Sequence, residues 1–263
     1  MTNMPARSTF VWGLQRSGIH LVVGWLYANH GGIQRDRLPS TGLHPQLGDG
    51  FRDVGAGVAF FNNPGRLYCR GFALGKIAPG DFEVAVEGSG RAIFSIEDCE
   101  LARVDQLPRG DHTANVMLVR HPLNLVASRL RGAQREPELF RTDERFLDVL
   151  ASYCAEALGR THFLPNLVVI SYDRFVRDRT YRDHLAAELG VPNHDAVTEV
   201  SAYGGGSSFT QMAERPSPDA VTSRYLEQPL PPALLQQLLD RPAVVEACRS
   251  VFGFELADVA GGS

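Results

Sequence analysis

The sequence predicts an α/β fold with three layers, α/β/α, in which helices cover both faces of a mostly parallel central sheet. Short apolar runs, typical of strands buried on both faces, alternate with segments of helical periodicity. The first run leads through a glycine-containing turn into a helix, as many nucleotide-binding α/β folds begin. No repeat or linker divides the chain, and 263 residues suit one domain. We therefore expect residues 1–263 to form a single domain.

The individual elements follow from these patterns in chain order. Each predicted strand is a short apolar run of β-prone residues, and the five predicted strands cover residues 9–14, 82–86, 91–96, 115–119 and 167–171. Predicted helices share apolar residues three and four positions apart, and they cover residues 17–29, 123–131, 143–159 and 181–189, with two short helices starting near 232 and 242. Residues 31–66 and 201–219 are rich in turn-forming types and are predicted to be irregular, and the tail from 258 is predicted to fray.

Composition limits the function classes that remain. The net charge of -4 argues against a general binder of nucleic acid or anionic membranes, so an anionic ligand must be held by local positive charge. No apolar run is long enough for a membrane span, and the first residues lack a signal-peptide pattern, so we expect a cytoplasmic protein. The four cysteines are widely spaced, which predicts core residues rather than a zinc site or a disulfide framework: Cys69, Cys99, Cys154 and Cys248.

A loop with phosphate-binding character joins the first strand to the first helix. Gly13 and Gly18 have the GxxxxG spacing of a P-loop, which makes the predicted fold P-loop NTPase-like. The pattern then departs from a Walker A motif, because Ile19 replaces the lysine and His20 replaces the Ser/Thr that would hold Mg²⁺. That departure argues against an ATPase or a kinase. The alternative is that the two glycines only shape a strand-to-helix turn.

The residues inside this loop resemble a known family. Arg16-Ser17-Gly18 is similar to the 5′-phosphosulfate loop of sulfotransferases that use PAPS (3′-phosphoadenosine 5′-phosphosulfate), although Ile19 and His20 differ from the usual threonines. The resemblance implies that Arg16 binds and polarises the phosphosulfate. It also implies that the backbone N–H groups of residues 17–20 surround this group. His20, in the first turn of the helix, can hydrogen-bond the 5′-phosphate with its own side chain. Arg16 and His20 are therefore candidates for catalysis as well as for binding.

A second motif follows the strand predicted at 115–119. Arg120, Pro122 and Ser128 resemble the 3′-phosphate site of the same family, in which Arg-x-Pro precedes a serine on the next helix. Arg120 leaves the carboxyl end of a central strand, where ligands bind in such sheets, and Pro122 can start the helix. A guanidinium and a hydroxyl together can hold a phosphate dianion. The alternative is an ordinary helix start with solvated arginines.

Further nucleotide contacts are implied by the resemblance alone. Tyr172 follows the strand predicted at 167–171, as does a family tyrosine that lies near the nucleotide. Ser207, Ser208 and Phe209 match a stretch whose serines approach the nucleotide and whose phenylalanine packs on adenine. Arg224 is the nearest candidate for a late arginine that reaches the 3′-phosphate, since the family's C-terminal Arg-Lys-Gly loop is missing here. A structural tyrosine and a flexible linker are the alternatives.

Candidate bases lie at the end of the strand predicted at 91–96. Glu97 and Asp98 stand 23 and 22 residues before Arg120, close to the family's spacing for its catalytic base. The carboxyl end of a parallel strand faces the ligand crevice, so either carboxylate can serve as a general base. Asp98 can equally cap the next helix, and His44 and His112 are alternative bases.

The predicted function is transfer of a sulfuryl group from PAPS, without a metal ion, to an acceptor hydroxyl or amine by in-line displacement. PAPS is the co-substrate, PAP (3′-phosphoadenosine 5′-phosphate) is the product, and the acceptor is a small molecule or a carbohydrate. Two alternatives remain open: a P-loop phosphotransferase that uses ATP and Mg²⁺, and a non-catalytic protein that binds PAP. Neither the acceptor's identity nor the oligomeric state follows from the sequence.

Overall fold

A computed structural model describes residues 7–33, 36–38, 50–62, 90–106, 113–195 and 217–261. Several sequence predictions lie outside these ranges: the strand at 82–86, most of the irregular segment 201–219, and the residues His44, Cys69, His112, Ser207, Ser208 and Phe209. The other three cysteines are buried, which agrees with the prediction of core residues. No helix in the described part of the chain is long and apolar enough to cross a membrane.

Within the described ranges, seven strands form one mixed sheet in the order β2-β3-β4-β5-β1-β6-β7. The five strands from β4 to β7 along this order run parallel, and β2 and β3 extend the sheet with antiparallel pairing. This arrangement confirms the predicted α/β fold with a mostly parallel sheet. The strands are β1 (Arg7–Gly13), β2 (Asp36–Leu38), β3 (Gly50–Asp53), β4 (Val58–Phe61), β5 (Arg91–Glu97), β6 (Thr113–Val119) and β7 (Leu167–Ser171).

Helices follow most of the parallel strands and form the outer layers. Each predicted helix is present, with ends within a few residues of the expected ones. The helices are α1 (Ile19–Asn29), α2 (Pro122–Ala133), α3 (Glu144–Ala157), α4 (Tyr172–Arg177), α5 (Arg179–Leu189), α6 (Pro218–Thr222), α7 (Arg224–Glu227), α8 (Pro232–Leu239), α9 (Pro242–Ser250) and α10 (Leu256–Gly261), and a 3-10 helix covers Leu101–Gln106.

The two faces of the sheet carry separate hydrophobic cores. Side chains alternate between faces along a strand, so Phe10 and Trp12 of β1 lie on one side and Val11 lies on the other. Helices α2, α3, α8 and α9 pack on the first face, whereas α1, α4 and α5 pack on the second. Apolar residues therefore bury both faces of β1, which explains why its sequence is a nearly continuous apolar run.

Two local predictions were wrong. Residues 31–66 were expected to be irregular, yet they contain β2, β3 and the fully buried strand β4. Strands of three or four residues gain their stability from pairing with β5 and its neighbours, which a local pattern does not reveal. The tail from 258 was expected to fray, but α10 continues to Gly261 because the buried side chain of Leu256 holds its first turn in the core.

Parallel strands bring their carboxyl ends to one edge of the sheet. Gly13 pairs with Glu97, and Val119 pairs with Ser171, so the segments that leave β1, β5, β6 and β7 begin side by side. In open α/β sheets this edge, near the strand where the order reverses, is where ligands bind. Except for Ser128 and Arg224, the candidate site residues that the structure describes lie at the carboxyl ends of these four strands or in the segments that follow them.

Candidate active site

The loop between β1 and α1 is tightly turned. The N–H of Ser17 donates to the carbonyl of Leu14 at 2.9 Å. Arg16 and Gly18 both have positive φ, 74° and 96°. A Cβ atom at Gly18 would lie 2.2 Å from Cε2 of Tyr172, so only glycine lets the tyrosine ring pack against the loop. The ring of Tyr172, which follows β7, thus supports the loop from two strands away.

Helix α1 presents its amino end at this loop. Its first position has no side-chain capping hydrogen bond, and its first turn contains no acidic residue. The first N–H groups of a helix lack intrahelical acceptors and carry partial positive charge. A helix start of this kind favours an anion such as a phosphate.

Arg16 in the loop and the buried Arg120 and Arg224 lie within electrostatic reach of one another. Arg120 is 4% exposed and Arg224 is 7% exposed. Burial, followed by the charge of Arg120, lowers the pKa of both Arg16 and Arg224, the latter to about 10, and burial also lowers the pKa of Arg120. Like charges brought together away from water repel each other, and a bound anion would relieve that repulsion. The cluster therefore has the electrostatics of an anion site.

Arg120 also holds the site together. Its Nη1 donates to the carbonyl of Arg16 at 2.7 Å, and its Nη2 donates to the carbonyl of Val221 at 2.6 Å. The guanidinium lies 5.0 Å from the ring centroid of Tyr172, and its Nε has no hydrogen-bond partner among the described residues. Arg120 therefore links the loop to α6 and retains a donor for a ligand, a linking role that the motif did not predict.

Two buried hydroxyls have unused hydrogen-bonding capacity. Neither Ser17 Oγ in the loop nor Ser128 Oγ on α2 has a partner in the part of the chain that the structure describes. Buried hydroxyls in folded proteins are nearly always hydrogen-bonded, so such atoms point to a missing partner. Phosphate oxygens accept hydrogen bonds from hydroxyls, and these two serines fit a phosphorylated ligand.

Glu97 and His20 form a pair next to Arg16. Oε1 of Glu97 lies 4.0 Å from Nε2 of His20, and both side chains are largely buried. Burial, followed by the charge of Arg16, lowers the pKa of His20 to about 4. The imidazole is therefore neutral at physiological pH, and either ring nitrogen can exchange a hydrogen bond with a ligand.

Asp98 has a different environment from its neighbour. Nη1 of Arg129 lies 3.1 Å from both carboxylate oxygens, and the N–H of Gln15 donates to Oδ1 at 2.9 Å. Arg129 in turn packs 4.2 Å from the ring centroid of Phe146 and donates to the carbonyl of Arg141. Asp98 therefore fastens the loop to α2 and α3, and its role as a base stays a prediction.

Sequence reasoning missed the partners of the site residues. Arg129 was visible beside Ser128, but its contact with Asp98 spans 31 residues of chain. Asn124, in the first turn of α2, contacts the segment that carries Arg224, about 100 residues later. The only sequence signal for such residues was their position on the helix that follows Arg120.

Comparisons with known proteins bear on the fold. No protein-family model and no curated protein matches the chain. Among solved structures, the chain is similar to the sulfotransferase domain of the Synechococcus PCC 7002 olefin synthase, at 15% identity and a TM-score of 0.51, over 95% of this chain and 96% of that chain. The sulfotransferase domain from the curacin biosynthetic pathway has 11% identity and a TM-score of 0.48, covering 94% and 97% of the respective chains.

A retinol dehydratase in complex with androsterone and PAP has 12% identity and a TM-score of 0.35, over 92% of this chain and 69% of that chain. The match to the olefin synthase domain carries the conclusion, since it spans nearly the whole length of both chains. The chain has the fold of a sulfotransferase domain.

Proposed function

We propose that this protein transfers a sulfuryl group from PAPS to a hydroxyl or amine of an acceptor and releases PAP. The observation that carries the proposal is the meeting of Arg16, Arg120 and Arg224 beside a phosphate-type loop, at the carboxyl edge of a sheet with the sulfotransferase fold. PAPS is anionic at both its 3′ and its 5′ ends. Three converging guanidinium groups match that charge better than they match an uncharged ligand.

The residues divide into two groups in this proposal. Arg16, Ser17 and the first turn of α1 would hold the 5′-phosphosulfate. Arg120, with its remaining Nε–H donor, the hydroxyl of Ser128 and the guanidinium of Arg224 would hold the 3′-phosphate. Tyr172 packs against both the loop and Arg120. Ser207, Ser208 and Phe209 stay candidates for the adenosine.

Bound PAPS supplies a sulfuryl group attached to a 5′-phosphate leaving group. Glu97 would take the proton from the acceptor hydroxyl or amine as the new bond to sulfur forms. Arg16, close enough to Glu97 for their charges to interact, would stabilise the negative charge that develops on the leaving phosphate. Neutral His20, 4.0 Å from Glu97, can donate a hydrogen bond to a phosphate oxygen or share the proton that Glu97 receives.

The acceptor class stays broad in this proposal and includes small molecules and carbohydrates. Neither the anchor for the 3′-phosphate nor the proposed acid–base chemistry requires a metal ion. Side chains at one edge of the sheet supply the phosphate anchor and the acid–base groups in this proposal.

A binding experiment tests the nucleotide assignment. PAP and AMP differ only in the 3′-phosphate, so isothermal titration of each in the presence of EDTA isolates that group. We expect PAP to bind at least tenfold more tightly, about 1.4 kcal/mol, and Arg224→Gln to remove most of this preference. Arg182→Gln is the matched control, since Arg182 is also a buried arginine but pairs with Asp195 instead. Equal binding of PAP and AMP by the unmodified protein would overturn the proposal.

A turnover experiment tests the reaction. Radiolabelled PAPS is incubated with a panel of hydroxyl and amine acceptors, and PAP release and acceptor labelling are both measured. We expect Glu97→Gln to abolish transfer while PAP affinity is kept. Tight PAP binding with no transfer to any acceptor would favour the non-catalytic alternative. Binding of ATP only with Mg²⁺ would favour a phosphotransferase.

A further inference from the structure

The segment that carries Arg224 is held from both sides by one side chain. Nδ2 of Asn124 on α2 donates to the carbonyl of Thr222 at 2.5 Å, and its Oδ1 accepts from the N–H of Tyr225 at 3.3 Å. Asn124 is 0% exposed. Its amide thus bridges the two residues that flank Ser223 and Arg224, at the point where α6 ends and α7 begins.

Each of the neighbouring contacts holds the segment on one side of Arg224 only. Arg120 binds the carbonyl of Val221, and Nη2 of Arg177 binds Oγ1 of Thr222. The ring of His121 stacks on that of Tyr225, with centroids 5.3 Å apart and planes 6° apart. Among the described contacts of the segment, the amide of Asn124 is the one that reaches both sides of Arg224.

The chemistry of this bridge requires an amide. The carbonyl of Thr222 needs a donor and the N–H of Tyr225 needs an acceptor, and a primary amide offers both at one place. An aspartate of the same shape would keep the acceptor but lose the donor, and an alanine would lose both. Each loss leaves a buried backbone group without a partner.

The position of Arg224 depends on this bridge. Burial, followed by the charges of Arg120 and Arg16, lowers the pKa of Arg224 to about 10, so the guanidinium lies within electrostatic reach of both arginines. Holding a third cation there is costly, and a loosened backbone at 222–225 would let the side chain turn toward water. A rigid attachment to α2 opposes that escape.

We propose that Asn124 is a positioning residue that holds Arg224 at the 3′-phosphate and so sets the preference for a nucleotide with that phosphate. The inference rests on the proposed function. The same helix then acts on the 3′-phosphate twice, directly through Ser128 and indirectly through Asn124.

The test compares two buried amides. Asn124→Ala is paired with Asn115→Ala, because Asn115 on β6 also donates to a backbone carbonyl, that of Pro165, and accepts from Nε1 of Trp12. Both variants lose two hydrogen bonds, so both lower the free energy of unfolding. We expect only Asn124→Ala to weaken PAP binding, by about tenfold, with AMP binding unchanged in both. Asn124→Asp, which retains the shape, is the second variant if the alanine form does not fold.

A double-mutant cycle identifies the route of the effect. If Asn124 acts through Arg224, the loss of PAP affinity in Asn124→Ala disappears in the Arg224→Gln background. The inference is overturned if the loss persists there, if AMP binding weakens as much as PAP binding, or if Asn115→Ala has the same effect. Failure of the proposed function is distinguishable, because the unmodified protein would then bind PAP and AMP equally, and that result would overturn both.

Discussion

The substitution Asp98→Asn tests the assignment of Asp98 as the residue that fastens the phosphate loop. Asparagine has the same shape, keeps an acceptor for the N–H of Gln15, and tolerates the positive φ of 52° at this position. The change therefore removes the negative charge beside Arg129 with little other disturbance. The adjacent Glu97 is left unchanged.

The expected loss of stability follows from the geometry of the ion pair. A separation of 3.1 Å corresponds to ~5 kcal/mol of attraction at an effective dielectric constant of about 20. The side chain of Arg129 is 4% exposed, whereas that of Asp98 is 27% exposed, so water screens part of the attraction. Arg129 also keeps its carbonyl contacts and its packing on Phe146. We expect the free energy of unfolding to fall by about 2–3 kcal/mol.

Urea denaturation followed by circular dichroism measures this quantity, and an unchanged m-value shows that the two end states are comparable. Asp219→Asn is the control. Asp219 pairs with Arg177 at a shorter 2.9 Å but is 89% exposed, so we expect a change within about 0.5 kcal/mol. A cycle with Arg129→Met gives the coupling between the two charges. If Asp98→Asn costs no more than the control, the carboxylate does not fasten the loop and the assignment fails.

Three further predictions concern other parts of the molecule. Gly18→Ala places a methyl group against the ring of Tyr172 at a position with positive φ. We expect the free energy of unfolding in urea to fall by about 2–4 kcal/mol and PAP binding to weaken. An unchanged stability would contradict the close approach of the ring to Gly18. Burial and the charge of Arg120 lower the pKa of His121 from 6.5 to about 4 in the folded protein. As the pH drops below about 6.5, this histidine is protonated in the unfolded state before it is protonated in the folded state. The stability of the protein therefore falls between about pH 6.5 and pH 4. His121→Phe keeps an aromatic ring at this position but removes the titrating group. We expect the unfolding free energy of the variant to rise less steeply between pH 5 and 6, by up to about 1.4 kcal/mol per pH unit. An equal slope in the variant and the unmodified protein would count against the lowered pKa of His121. In the unmodified protein, the N–H groups of Phe163 and Leu164 donate to the buried carboxylate of Glu156. Glu156→Gln places an amide donor against one of these N–H groups, so we expect a loss of about 1–3 kcal/mol in thermal unfolding. The surface substitution Asp240→Asn should not show this loss.

Much of the fold was predictable because its strongest signals are local. The parallel strands β1, β5, β6 and β7 have apolar residues on both faces, so their sequences carry the pattern without any tertiary information. Strands β2, β3 and β4 carry no comparable signal, because turn-forming residues surround runs of only three or four residues. Their existence depends on an already formed neighbouring strand.

The candidate site divides in the same way. Glycine spacing identified the loop at 13–18, and Arg120 with Ser128 matched a short motif, since the residues of each motif are close in sequence. The structure brings Arg16, Arg120 and Arg224 together, although their binding of PAPS stays a prediction. It also separates two adjacent carboxylates, because Glu97 faces His20 while Asp98 turns to Arg129. The alternation of side chains along β5 could not predict these two directions, because the chain leaves the strand at Asp98 with a positive φ.

The sequence by itself determined the strands β1, β5, β6 and β7 and the helices α1, α2, α3 and α5, the position of the phosphate-type loop, and the residues that leave the carboxyl ends of β5, β6 and β7. Tertiary structure alone decided that Asp98 pairs with Arg129 while Glu97 lies beside His20, and which side chain holds Arg224. The physical reason is distance along the chain. Asp98 meets Arg129 across 31 residues, and Arg120 meets Val221 across 101, so these contacts exist only after the sheet has assembled.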